Sequence, residues 1–208
     1  MKTWMLAALL ALPATAQAHE VWIERDGDGP ARIYLGEPAD APPAGGDPEF
    51  AKLKAPRLLT PATGASQRRT GFIEVAVAPG DVRAWDDDVF APWGEAGSRE
   101  GVVYYARAGR SEATARLPFE IAPVTAGGNR FAVTRDGKPM AATEVTIVAP
   151  DRSTSKQTTD AAGMLYVGTA AKGRYLLVAA AKDSGRQTLP GGAVDTVHRI
   201  TTTTFVVG

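Results

Sequence analysis

The sequence has no cysteine and only two histidines among its 208 residues. Without cysteine the chain has no disulfide, no thiolate metal ligand, no thiol nucleophile and no attachment point for c-type haem. It also lacks an excess of either charge, since 23 basic residues face 23 acidic ones. This balance argues against a nucleic-acid surface or a polybasic membrane patch.

Long apolar runs are scarce as well. The run from Trp4 to Leu12 is shorter than the ~20 residues that a membrane-spanning helix needs. It follows the single charge of Lys2 and leads to the small residues AQA just before His19, which is typical of a signal peptide. We therefore expect residues 1–18 to be cleaved, the mature chain to begin at His19, and the product to be periplasmic or secreted without membrane insertion. An uncleaved anchor is the alternative.

Glycine and proline are frequent, and helical periodicity is missing, which favours an all-β fold of short strands. The sequence predicts two β-sandwich modules, immunoglobulin-like or prealbumin-like, over 19–122 and 123–208. One short helix is expected near 48–54, ended by Pro56. The clearest strand predictions are EVWIE (20–24), ARIYLG (31–36), 71–80, 100–109, 113–124 and HRITTTTFVVG (198–208).

The second half carries a pattern that resembles known modules. DGKPMAATEVTIVAP, followed by TTDAAGMLYV and KGRYLLVA, resembles prealbumin-like and carboxypeptidase-regulatory-like β-sandwiches. Together with AHEVWIE after the leader and the closing HRITTTTFVV, the chain resembles a bacterial periplasmic domain family of unknown function, described as NikM-like and associated with nickel or cobalt uptake. The resemblance implies a metal cargo and a membrane transporter as partner. It also points to His19, after the leader, and His198, at the start of the last strand.

An N-terminal histidine has chemistry that an internal one lacks. Its α-amine and its own imidazole close a chelate ring on one metal ion, and a second imidazole completes the three-nitrogen set called a histidine brace. Nitrogen ligands in a tetragonal plane suit Cu(II) best, with Ni(II) next, although the resemblance implies Ni(II) or Co(II). The sequence thus predicts a copper site on His19 and His198, provided that the two ends of the chain meet.

Two carboxylates are candidates to complete this site. Glu20 follows His19 directly, and Asp195 lies three residues before His198. Strand alternation would point Asp195 away from His198, so its participation requires a loop over 193–198. Solvated surface carboxylates, and a surface histidine at 198, are the plain alternatives.

Two further groups have simpler explanations. The run Asp86–Asp88 suggests a Ca²⁺ site but lacks the ligand spacing of a calcium loop, so an acidic turn is expected. Five aromatic residues could line a sugar or peptide groove, although packing is their usual role. They are Trp22, Trp85, Trp93, Tyr104 and Tyr105.

Three functions remain open at this stage. The sequence favours a metal-binding protein for uptake, delivery or buffering rather than an enzyme, because no GxSxG or HExxH motif accompanies the histidines. A β-sandwich adaptor that binds a protein or a carbohydrate is the second hypothesis. An oxidase or monooxygenase built on a copper brace is the third.

Overall fold

The computed structural model describes residues 19–41 and 43–208, and strands dominate them. A single 3-10 helix, Phe50–Lys52, is found in these residues, and no α-helix. The strands are β1 (Glu20–Glu24), β2 (Ala31–Gly36), β3 (Arg57–Leu58), β4 (Gln67–Arg69), β5 (Phe72–Val75), β6 (Val82–Asp86), β7 (Glu100–Ala108), β8 (Phe119–Pro123), β9 (Arg130–Arg135), β10 (Lys138–Pro139), β11 (Glu144–Val148), β12 (Thr154–Thr158), β13 (Met164–Tyr166), β14 (Gly173–Leu189) and β15 (Gly192–Val207). The predicted all-β class is confirmed. The helix expected near 48–54 is a single 3-10 turn, which ends at Lys52 and not at Pro56. The expected leader, 1–18, lies outside the described residues.

A seven-stranded sheet forms the middle of the molecule, in the order β12-β11-β14-β15-β7-β6-β3. β14 and β15 make a long antiparallel hairpin, and β15 then runs parallel to β7. β7 is apolar along nearly its whole length, with VVYYA at 102–106, which is typical of a strand buried on both faces. Its Tyr104 and Tyr105 accordingly enter two different cores on opposite faces of the sheet.

Two smaller sheets cover these faces. The first outer sheet, β1-β2-β5-β4, packs on the face that carries Tyr104. The second outer sheet, β8, β9, β10 and β13, packs on the face that carries Tyr105. The fold is therefore three β layers with one shared central sheet, and each pair of layers encloses its own core.

The threonine run of β15 joins all three layers. Thr201, Thr202, Thr203 and Thr204 are all fully buried. Because successive side chains point to opposite faces, the hydroxyls of Thr202 and Thr204 donate to the carbonyls of Val21 and Ile23 in β1. The hydroxyl of Thr203 donates to Ile121 O, 2.7 Å away in β8. Threonine suits this strand because it combines β propensity with a donor for carbonyls that face it.

A buried ion cluster fixes β6, β7 and β8 to one another. Glu120 Oε1 accepts hydrogen bonds of 2.8 Å from both Arg83 and Arg107, and Glu120 Oε2 accepts from two backbone N–H groups. Arg107 also donates to Asp81. Burial alone would raise the pKa of Asp81, but hydrogen bonds from Ser111 and Arg107 hold it below its usual range. Arg83 also donates to the partly exposed Glu112 at 3.0 Å, so two arginines and three carboxylates satisfy one another in and beside the core.

The central sheet draws strands from both predicted modules. β3, β6 and β7 precede residue 122, whereas β11, β12, β14 and β15 follow it. β8 itself runs across the predicted boundary at 122/123. The division into two domains stays a prediction, and the structure adds that any such domains share a sheet.

The threonine run generates a prediction with an internal control. Thr202→Val and Thr204→Val each remove a hydroxyl and leave a buried carbonyl of β1 unpaired, so each should lower the free energy of unfolding by about 1–2 kcal/mol. The hydroxyl of Thr201 is buried without a partner among the described residues, so Thr201→Val should be neutral or stabilising. Urea unfolding of the three variants tests this, and equal losses at all three positions would contradict it.

A second prediction concerns the ion cluster. Glu120→Gln leaves two buried guanidinium groups short of a counter-charge and should cost about 3–5 kcal/mol of unfolding free energy. Glu144→Gln is the matched control, because its ion pair with Lys156 is well exposed and should contribute less than about 1 kcal/mol. Thermal and urea unfolding measure both changes, and similar costs would show that burial does not set the strength of these pairs.

Candidate metal site

His19 lies directly before β1, and its imidazole faces two carboxylates. Nε2 is 3.2 Å from Asp47 Oδ1 and 3.6 Å from Glu49 Oε2. Asp47 is itself held in place, since its Oδ1 accepts a 2.7 Å hydrogen bond from the N–H of Glu49 at the start of the 3-10 helix. The ring of Phe90 meets the imidazole edge to face, with centroids 6.2 Å apart. The side chain of His19 is therefore held in one orientation, in which Nε2 faces the carboxylates of Asp47 and Glu49.

Acidic groups crowd the surroundings of His19. Burial, together with the charge of Glu37, raises the pKa of Glu20 to about 8. The pKa of Glu37 is raised by burial and by Asp40 and Asp47, and His19 opposes the rise. This concentration of carboxyl groups makes the location favourable for a cation.

His198 lies on β15, where it contacts a carboxylate of the neighbouring strand. Its Nε2 bonds to Glu100 Oε2 on β7, and the centroid of its ring lies 5.6 Å from that of Trp93. The hydrogen bond from His198 is the main reason why the pKa of Glu100 is below its usual range, and Lys182 adds a smaller effect. Trp93 is placed by two backbone hydrogen bonds to Glu100, so strand and loop form one local unit.

The two histidines lie at the same end of the fold. Thr202 and Thr204 bond in succession to Val21 and Ile23, so β1 and β15 run side by side in the same direction. His19 directly precedes β1, and His198 lies four positions before Thr202 on β15, so both lie towards the same end of this strand pair. No hydrogen bond or ring contact joins the histidines among the described residues, but the loop that carries Phe90 and Trp93 touches both.

Asp195 lies in β15 rather than in a loop. The alternation of β15 is interrupted there, because Val194 and Val197, three residues apart, enter the same core. The N–H groups of Asp195 and of the next residue both donate to the carbonyl of Arg99, and Asp195 Oδ2 accepts the N–H of Arg99. Asp195 is thus bonded to the residue that precedes β7, next to Glu100.

Sequence reasoning missed the carboxylates that contact the histidines. Asp47 and Glu49 lie in and just after a segment whose composition indicates only a loop, and Glu100 opens a strand. A parallel pairing between residues almost a hundred positions apart brings Glu100 to His198. No local pattern in the sequence marks these three residues.

The other sequence candidates have structural roles. Asp86 is buried and accepts the N–H of Asp88, while Asp87 pairs with Arg57 at 2.7 Å. The aromatic residues are distributed over separate cores and surfaces and do not form one groove.

Comparisons with family models, curated proteins and solved structures found no match. The resemblance to the NikM-like family therefore stays a prediction. Within residues 19–41 and 43–208, no group of three or more His, Asp or Glu side chains is arranged as a ready metal-ligand set. The contacts at His19 agree with this, since they join its Nε2 to carboxylates at ion-pair distances and do not surround a common point. None of the described residues forms a helix long and apolar enough to span a bilayer.

The link between His198 and Glu100 can be tested without metal. His198→Ala removes the hydrogen bond that lowers the pKa of Glu100, so this pKa should rise towards its ordinary value. Carboxyl carbon NMR shifts followed over an acid titration measure it. Lys182→Ala is the control and should raise the pKa of Glu100 less. A larger effect of Lys182→Ala would show that general charge, and not the hydrogen bond, controls Glu100.

Proposed function

We propose that this protein binds a copper(II) ion at a processed N-terminus and handles it in the periplasm for uptake, delivery or buffering. The observation that carries the proposal is that both histidines of the sequence lie at one end of the fold, and that each imidazole is held by a carboxylate. Histidines that serve as metal ligands usually have such a carboxylate partner, which fixes the orientation of the ring.

The contacts of His19 suit a chelate with its own amine. The α-amine and Nδ1 are separated by three carbon atoms, so both close a six-membered ring on one ion, whereas Nε2 points away from that ring. Nε2 is the atom that faces Asp47 and Glu49. These carboxylates would then orient the ring as outer partners, and Nδ1 would remain available for the ion.

His198 would supply the third nitrogen in this proposal. Its Nε2 now shares a hydrogen bond with Glu100, and the imidazole would have to be unprotonated to hold the ion. Glu100 would then compensate part of the ionic charge. Glu20 and Asp195 remain secondary candidates, because the pKa of Glu20 is raised to about 8 and Asp195 is hydrogen-bonded to Arg99.

The choice of metal follows from the ligands. Three nitrogens in a plane favour Cu(II), and the general order of affinities places copper above nickel, cobalt and zinc. Ni(II) and Co(II) are the next candidates. A membrane transporter for the same ion is the proposed partner, in line with the resemblance of the sequence to a metal-uptake family.

A one-residue extension tests the chelate most directly. An alanine placed before His19 turns the chelating amine into an amide but keeps both imidazoles, so copper affinity should fall at least about tenfold relative to the chain that begins at His19. Competition titration against a chelator measures the affinity, and mass spectrometry of the exported protein checks the start at His19. Equal affinity of the extended and native chains would exclude the amine as a ligand.

Substitution of His198 tests the second half of the site. A copper ion at His198 should quench the fluorescence of Trp93, whose ring lies 5.6 Å from that of His198. His198→Ala should weaken copper binding and abolish this quenching. Lys182→Ala, on the adjacent strand, is the control and should preserve both signals. Unchanged copper affinity in His198→Ala would show that His19 binds without the second histidine.

A further inference from the structure

A cavity of about 770 Å³ extends between the first outer sheet and the β11–β14 part of the central sheet. Trp22, Tyr34, Phe72, Val148 and Leu176 are among the residues that line it, and Trp22 packs directly against Val148 and Leu176 in a buried cluster. The volume lies in the range of sites for small organic molecules and is far larger than a bare metal ion needs. The cavity therefore has room for an organic ligand.

The aromatic side chains that line the cavity are held in place by contacts with one another and with Glu24. The rings of Trp22 and Tyr34 are stacked with centroids 5.1 Å apart, and Phe72 lies 5.3 Å from Tyr34. The indole N–H of Trp22 donates to Glu24, which fixes the ring. The partly exposed rings of Tyr34 and Phe72 offer a ligand apolar contact area at little cost in side-chain entropy, because they are already held in place.

The two ends of the cavity carry opposite charge. Glu37, Asp40 and Asp47 line the end beside His19. Arg152 lines the other end, on the turn that follows β11, and its guanidinium makes no ion pair within residues 19–41 and 43–208. Arg174, at the same end, is already paired with Glu24 and Asp26. Arg152 is thus the cation that is available to a ligand.

The length of the cavity follows from β1. His19 and Glu24 both line it and lie five residues apart on an extended strand, which is about 17 Å. At ~3.4 Å per residue this length admits an extended peptide of no more than about five residues.

We propose that this cavity binds a short peptide with free termini, no longer than about five residues, with its ammonium group at Glu37 and Asp40 and its carboxylate at Arg152. A side chain in the middle of the peptide would lie against the partly exposed rings of Tyr34 and Phe72. Charge complementarity selects the orientation, since a reversed peptide would place its carboxylate beside three acids. Arg152 lies at the far end of the cavity from His19, so its contact with the peptide can be tested separately from metal binding.

Calorimetry with the tripeptide Ala-Phe-Ala tests this inference on the purified protein after EDTA treatment. We expect saturable binding without metal, together with quenching of Trp22 fluorescence. The N-acetylated and the C-amidated forms should each bind at least about tenfold more weakly, because each loses one charge-assisted contact. Failure of the free tripeptide to bind more tightly than about 1 mM would overturn the proposal. Equal binding of the blocked peptides, or of the uncharged trisaccharide maltotriose, would also overturn it.

Variants separate this site from the metal site. Arg152→Gln should weaken the free tripeptide at least about tenfold, leave its amidated form unchanged and keep copper binding. Arg186→Gln is the matched control, since Arg186 is an exposed arginine of β14 outside the cavity, and it should change nothing. If Arg152→Gln leaves peptide affinity intact, or if the peptide binds only when copper is present, the proposed peptide site is wrong. Unchanged copper binding after the alanine extension before His19, with peptide binding retained, would contradict only the metal proposal.

Discussion

The hydrogen bonds from the threonines of β15 to β1 and β8 hold the three layers together. A strand at the centre of a sheet has its own backbone groups satisfied by its neighbours, so its side chains are the means by which it can bond to other layers. In β15 threonine side chains carry hydroxyl groups on both faces of the sheet. These hydroxyls donate hydrogen bonds to the carbonyls of Val21, Ile23 and Ile121. A purely apolar β15 would leave these carbonyls buried without donors, which costs more than the added apolar contact returns.

The same contacts determine the position of β1. β1 is the edge strand of its sheet, and its carbonyls on the open side would otherwise be free. The bonds to Thr202 and Thr204 close that edge and align β1 with β15, so the residue before β1 comes to the end of the fold where His198 lies. Any function that requires both histidines thus depends on two hydroxyl groups deep in the core.

The sequence predicts individual strands better than their pairing. EVWIE and ARIYLG coincide with β1 and β2, because alternation and a turn of glycine and aspartate are local signals. β15 begins at Gly192, earlier than predicted, and its parallel partner β7 cannot be inferred from either segment alone. His19 and His198 were candidates from the sequence, whereas Asp47, Glu49 and Glu100 were not, because long-range pairing brings them into place.

His19 is a member of both proposed sites, and this links them. Asp47 faces the imidazole of His19, while Glu37 and Asp40 lie along the same end of the cavity. A copper ion at His19 and an ammonium group at Glu37 would draw on one group of carboxylates, so each cation reduces the attraction that remains for the other. Linkage requires that this effect be reciprocal. A peptide that coordinates the copper ion through its own amine would make the coupling between the two ligands favourable, since its amine would then be a metal ligand and not a second positive charge. The sign of the coupling therefore distinguishes two neighbouring sites from a single site that takes up a metal complex.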